Sequence, residues 1–195
     1  GNNNAHMIDA DNVAKVIAAT RPALDVKKIM WDAYKMEKSS TGNTFPDARN
    51  LITKYMADGA LMMNYSGHGG PNQLSHETVL KLSDFSGIQS KTMALWVTAA
   101  CDILPFDGLE DNIGEAAIFN EKGGAIAFYG TTRTVYQLQN SYMNQLFTKF
   151  VLSESDGKDV SVGEAARMAK ASLAGMVTEI PAGMKYSDFS ANKLQ

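Results

Sequence analysis

Only one cysteine occurs in the 195 residues, so no internal disulfide can form and the fold must stand without a covalent bridge. That thiol, Cys101, is either inert core or a reactive group, and its surroundings have to decide between the two. No apolar run reaches the roughly 18 residues that a membrane span needs. Basic clusters are missing as well. The 18 Lys and Arg are scattered among 21 Asp and Glu for a formal charge of −3, which leaves no electrostatic footprint for nucleic acid or an anionic membrane. The polar start GNNNAHM lacks the basic and apolar regions of a signal peptide, which points to a mature terminus elsewhere or to an excised piece. There is no internal repeat, no low-complexity linker, and no CxxC or HxxxH spacing of the kind that holds zinc.

What is present is an ordinary globular composition, 45% hydrophobic and 20% charged, in a chain long enough for one sizeable core, so a single domain over 1–195 is expected. Apolar patterning alternates between strand-like and helix-like. An amphipathic stretch capped by Asp9 or Asp11 continues through Val13, Val16 and Ile17, and the run VKKIMWD reads as a strand from Val26 to Asp32. After the loop KSSTGNTFP, Pro46 opens a helix that Ala48, Leu51, Ile52, Tyr55 and Met56 carry to Asp58, with Gly59 as its stop. ALMMNY is a short buried strand ending in SGHGGPN, and Ser75 with Glu77 and Thr78 is expected to open another helix. MALWVTAA is a near-continuous apolar strand stopping at Cys101. A helix from Asn112 to Asn120, a strand in GAIAFYGTT, and helices at about Tyr136–Leu152 and Ser161–Met176 complete the pattern. Such alternation implies an α/β fold with right-handed crossovers and a mostly parallel sheet flanked by helices.

In sheets of this kind the ligand site lies beyond the carboxyl ends of the strands. His68 follows the second strand and Cys101 the third, and neighbouring strand ends lie about 5 Å apart, so imidazole and thiol come within reach of one another. A Cys-His dyad is the functional reading. Gly67, Gly69 and Gly70 permit a sharp turn and a close approach of a peptide carbonyl, where the Gly69 and Cys101 amides could serve as oxyanion donors. Taken alone, GHGG is equally a tight turn with a surface histidine, and a lone Cys is more often a small core hydrophobe. A zinc site from His68, His76 and Cys101 is a third reading, without ligand spacing to support it.

The runs IMWDAYKMEKSSTGNTFPDARNLI, NYSGHGGPNQLSHE, LWVTAACDILPFD and IGEAAIFNEKGGAIAFYGTTRTVY resemble the catalytic core of the gingipain-type, caspase-like family of cysteine peptidases, and within it the type IX secretion sortases. The similarity runs from about Val26 to Lys170, and the order of the motifs, with His68 and Cys101 33 residues apart, carries it. The resemblance implies a caspase-like α/β/α sheet and peptide-bond cleavage by a His68–Cys101 dyad, with Gly69 and Cys101 supplying oxyanion amides. It also implies a bacterial outer-membrane or cell-surface setting and processing of the C-terminal sorting domains of secreted proteins. The partners it implies are a polypeptide substrate, other secretion-system proteins and a surface glycolipid as an amine acceptor; no cofactor or metal is implied. Family members carry a further α/β subdomain ahead of this region and β-sandwich modules behind it, so the chain is read as the second, catalytic subdomain.

Some relatives orient the histidine with an upstream acidic residue, for which Asp9, Asp11 and, less readily, His6 stand in the corresponding stretch; a helix cap is the competing role for the two aspartates. Asp102 and Asp107 could line a substrate pocket or simply be solvated, and Arg133 could meet a peptide carboxylate or form a structural ion pair. Glu77 and Glu115 read as residues of helix N-terminal turns, and Trp96 and the methionines as core. The competing functional class is a pseudo-enzyme or binding module that keeps the fold without the activity.

Overall fold

The computed structural model describes residues 4–39 and 42–176. In chain order the elements are α1 (Ala5–Thr20), a 3-10 turn (Trp31–Ala33), β1 (Glu37–Ser39), β2 (Gly42–Thr44), α2 (Pro46–Asp58), β3 (Met62–Ser66), β4 (Gly69–Gly70), β5 (Gln73–Leu74), β6 (Leu80–Lys81), α3 (Leu82–Gly87), β7 (Ala94–Ala99), α4 (Ile113–Ile118), β8 (Ala125–Tyr129), α5 (Gln137–Val151), β9 (Glu154–Ser155), β10 (Lys158–Asp159) and α6 (Val162–Met176). They fall into two compact units, one of Ile29–Arg133 and one joining Gly1–Lys28 to Thr134–Gln195.

The first unit is built on a parallel sheet of order β3-β7-β8. All six residues of β7 are buried, as its unbroken apolar run requires of a central strand covered on both faces. On one face Trp96 stacks on Phe128, with ring centroids 6.1 Å apart, and receives the edge of Phe85 from α3 at 4.9 Å. Ala48, Ile52 and Met56 of α2 and Ile113 and Ala117 of α4 join the same core. Proline at the first position of α2 and Gly59, at φ 94°, bound that helix where the sequence places its ends. The Asn112 side chain accepts from the Glu115 amide (3.0 Å) while the Glu115 carboxylate accepts from the Asn112 amide (3.2 Å), a reciprocal cap that starts α4. Ile126 is the extra residue of a bulge, since Ala94 pairs with Ala125 but Leu95 with Ala127.

In the second unit, α5 packs against both α1 and α6, with Val13, Met143, Phe147, Ala165, Ala169 and Leu173 buried. Arg21 donates to the Leu152 carbonyl at 2.7 Å and pairs with Glu154 and Asp159 at 3.0 Å, tying the end of α1 to the β9–β10 hairpin. Asp156 and Gly157 turn that hairpin, both with positive φ.

Three expectations are corrected. Val26–Asp32 forms no strand: Lys28 turns aside to pair with Asp11, and Trp31–Ala33 closes into a 3-10 turn whose indole stacks on Tyr65 at 5.7 Å. Ser75 opens no helix. Ser75 and Thr78 both hold left-handed backbone, at φ 65° and 52°, which a helix cannot contain, and the segment forms the link between β5 and β6; Glu77 therefore has no helix turn to occupy. Asp9 and Asp11 cap nothing, because α1 begins before them at Ala5 and their carboxylates are engaged sideways. Trp96 is core, as are Met56 and Met143, but Met36 and Met93 are exposed. The stretch from 177 onward lies outside the described residues.

Candidate active site

β3 and β7 run parallel in register from Met62↔Leu95 to Ser66↔Ala99, and the Gly67 amide extends the ladder to the Ala99 carbonyl at 3.2 Å. His68 and Cys101 each lie two residues beyond the last paired position, on adjacent strands and at the same carboxyl edge. Beyond that edge the two loops touch. A Cβ added to Gly69 would meet Ile103 Cδ1 at 2.5 Å and the Ala100 Cβ at 3.0 Å, so the backbone after His68 rests on the residues that bracket Cys101. A side chain at this position would have to displace the end of Ile103 and crowd Ala100. His68 is exposed and Cys101 half-buried.

The loop after β3 is anchored rather than loose. The His68 carbonyl accepts from the Tyr65 hydroxyl at 2.6 Å and from the Ser75 amide at 2.8 Å. Burial is the main cause that pushes the Tyr65 phenol well above its ordinary pKa, with the Glu77 charge adding to it, so the hydroxyl stays protonated as the donor this bond needs. Since the Ser75 amide donates a ladder hydrogen bond to the His68 carbonyl, the alternation of an antiparallel pair makes the next pair, Gly69↔Leu74, a non-bonded one. The Gly69 amide therefore faces away from β5. Over the same loop the His76 ring stacks on His68, with centroids 4.5 Å apart and planes 14° from parallel.

The loop after β7 turns sharply at Asp102, which holds left-handed backbone at φ 52°. It is laced to the loop after β8: the Thr131 hydroxyl donates to the Ala100 carbonyl at 2.5 Å, the Leu104 amide to the Thr131 carbonyl at 2.9 Å and the Asp102 amide to the Arg133 carbonyl at 3.4 Å. Arg133 also grips Asp107 with two parallel bonds, at 3.1 and 2.5 Å, and this guanidinium holds the Asp107 carboxyl below its usual range. Phe106 and Leu109, on the same loop, are exposed.

Of the residues singled out in the sequence, His68, Gly69, Cys101, Asp102, Asp107 and Arg133 thus share one edge of one unit. Asp9 and Asp11 belong to the helical unit. Asp9 accepts from Gln137 at 2.5 Å and from Ser141 at 2.7 Å, while Asp11 pairs with Lys15 and Lys28. His6 lies within α1. Among the described residues no group of three His, Cys, Asp or Glu side chains is arranged to hold a metal. The sequence reading missed Tyr65 and Thr131, and weighed His76 only as a zinc ligand, not as the ring that stacks on His68. For Tyr65 a signal existed, because alternation in β3 turns it to the core three residues before the histidine.

Comparison with solved structures gives the same architecture. The Arg-specific cysteine proteinase gingipain R superposes with a TM-score of 0.68 at 12% identity over 89% of this chain and 38% of that one. A complex of the pro- and mature domains of RgpB from Porphyromonas gingivalis gives 0.65 at 12% identity, over 86% and 37%. A further protease structure gives 0.57 at 17% identity, over 65% and 32%. The chain therefore spans less than two fifths of these structures, and its fold is the caspase-like α/β fold of gingipain. A search of curated protein sequences finds no match. Peptidase family C25 matches residues 1–192, nearly the whole chain, and the chain belongs to that family.

Proposed function

We propose that this chain carries the catalytic centre of a cysteine endopeptidase. Cys101 attacks a peptide carbonyl and His68 takes the thiol proton. The amides of Gly69 and Cys101 hold the oxyanion of the tetrahedral intermediate, and the imidazolium returns its proton to the leaving amine. Water then resolves the thioester to a carboxylate and the free thiol; an amine on a surface glycolipid would instead give a new amide. The observation that carries this reading is the position of His68 and Cys101 at matched ends of adjacent parallel strands, with Gly69 packed against both neighbours of the nucleophile turn.

The substrate we propose is a secreted polypeptide trimmed of its C-terminal sorting domain at a bacterial surface. A basic residue before the cut needs an acidic clamp, and here the Asp107 carboxylate is already matched by Arg133, beside exposed Phe106 and Leu109. That pairing supports a preference other than Arg or Lys. Cys101 is the one cysteine of this chain, and its labelling is read at the peptide that contains it. In the full-length protein, iodoacetamide should label Cys101 and abolish peptide cleavage in proportion, and an inert thiol or undiminished cleavage would sink the proposal. Profiling on a peptide library tests the preference, and exclusive cleavage after Arg or Lys contradicts it.

A further inference from the structure

We infer that Thr131 is a positioning residue of this centre, acting through the Ala100 carbonyl to aim the Cys101 amide; the inference rests on the reading of Cys101 as nucleophile. The ladder between β7 and β8 stops at Val97↔Tyr129, about four residues short of the nucleophile, and the Thr98 hydroxyl donates to the Tyr129 carbonyl at 3.1 Å. From Ala100 onward the chain has left the sheet, and its backbone groups need other partners.

Thr131 supplies them at both ends of the turn. Its hydroxyl donates to the Ala100 carbonyl at 2.5 Å, and its own carbonyl accepts from the Leu104 amide at 2.9 Å. Thr131 is 3% exposed, so water does not compete for either bond. Gly130 makes the approach possible: a Cβ there would stand 2.7 Å from the Thr98 hydroxyl and 3.2 Å from Leu104 Cδ1. Between the two anchors lie Cys101 and the left-handed Asp102.

The consequence for chemistry follows from peptide planarity. Ala100 C=O and Cys101 N–H belong to one trans peptide unit and point in opposite directions. A hydroxyl that fixes where the carbonyl points fixes where the amide points, away from Thr131. The Cys101 amide is a proposed oxyanion donor, and a donor is effective only if it is aimed before the charge develops. Thr131 thus preorganises a donor it does not touch.

The test compares Thr131→Val and Thr131→Ala, which lack the donor, with Thr131→Ser, which keeps it, in the full-length protein. Two rates are read: kcat for peptide cleavage, and alkylation of Cys101 by iodoacetamide, a reaction that builds no oxyanion. The expected result is a fall in kcat of about 10- to 100-fold for Val and Ala, below the about 10²–10³ for outright loss of a donor, with KM and alkylation unchanged and Ser near wild type. The inference is overturned if Val and Ala keep kcat within about threefold, if alkylation falls in step with kcat, if Ser is equally impaired, or if neither donorless variant folds. Cys101→Ala separates this from the underlying reading, because cleavage surviving in that variant refutes the nucleophile itself, whatever Thr131 does.

Discussion

The two units of the chain place their irregular backbone differently. Among the described residues of the helical unit, those left-handed other than glycine are Asn4, just before α1, and Asp156, in the two-residue turn of β9–β10. Asn and Asp tolerate that conformation, and a hairpin turn asks for it. Among the described residues of the sheet unit the corresponding ones are Ser75 and Thr78, in the link between β5 and β6, and Asp102, in the loop after β7; Thr78 is β-branched. Strained backbone persists where surrounding bonds over-determine it, and the surrounding bonds here are those that hold the His68 carbonyl and the Cys101 turn. One unit is regular structure closed by ordinary turns; the other stores its strain where the chemistry is proposed.

That contrast is broken most severely at the proposed dyad. His68→Ala should lower kcat/KM by about 10²–10⁴, the usual worth of positioned proton transfer, and Cys101→Ala should remove cleavage altogether. His68 is exposed and Cys101 half-buried at a strand end, so unfolding free energy should change by less than about 0.5 kcal/mol in urea titrations for the histidine variant. A loss of stability in step with activity would mean that these residues hold the loops together rather than react.

The converse change belongs in the helical unit. Phe147 is fully buried on α5, and Phe147→Ala should cost about 3–5 kcal/mol of stability. The alkylation rate of Cys101 in the folded protein should stay at its wild-type value. A slowed alkylation would show that this unit tunes the site, and the contrast between structural and reactive regions would fail.

How much of this was legible follows the same division. Long elements declare themselves: α2 between Pro46 and Gly59, β7 from its unbroken apolar run, α5 and α6 from helical spacing. The strands of two or three residues, β1, β2, β4 to β6, β9 and β10, carry too few positions for a period to show. The apolar run at Val26 looked like a strand because periodicity cannot register that Lys28 has a carboxylate to reach in α1. At the candidate site, the placement of His68 and Cys101 at adjacent strand ends was legible, because apolar runs mark where parallel strands stop. Thr131 was not, since nothing in GTTR says which threonine turns inward to a carbonyl 31 residues earlier. The stack of His76 on His68 was hidden for another reason: it depends on left-handed backbone at Ser75 and Thr78, where the sequence suggested a helix start.

A smaller test sharpens the comparison at Ser75. Its hydroxyl is buried with no hydrogen-bond partner among the described residues, and its φ of 65° is one that glycine adopts freely. Ser75→Gly removes the orphan and the strain while keeping the amide that holds the His68 carbonyl. Stability should rise by about 1 kcal/mol, read as a shift in the urea midpoint at constant m. A destabilised variant would place a needed contact at that hydroxyl and remove Ser75 from the strained set.

The smallest expected effect lies at Asp11, in the unit without strain at its turns. Lys15, one helical turn away at 2.7 Å, and Lys28 at 2.5 Å hold its carboxyl at about 2, down from an ordinary 3.8, with the Lys15 bond the larger cause. The folded state binds this proton less readily than the unfolded chain does. The pair's contribution is therefore complete above pH 4 and is lost as pH falls from there through 2. Because the groups are solvent-exposed, the effect should be slight and should shrink with salt as the charges are screened. Asp11→Asn should flatten that acid limb of the stability curve in low salt without touching the rate at Cys101. If it slows cleavage while stability stays level, the carboxylate acts on the histidine after all, and the helical unit takes part in the chemistry that the comparison assigns to the sheet unit alone.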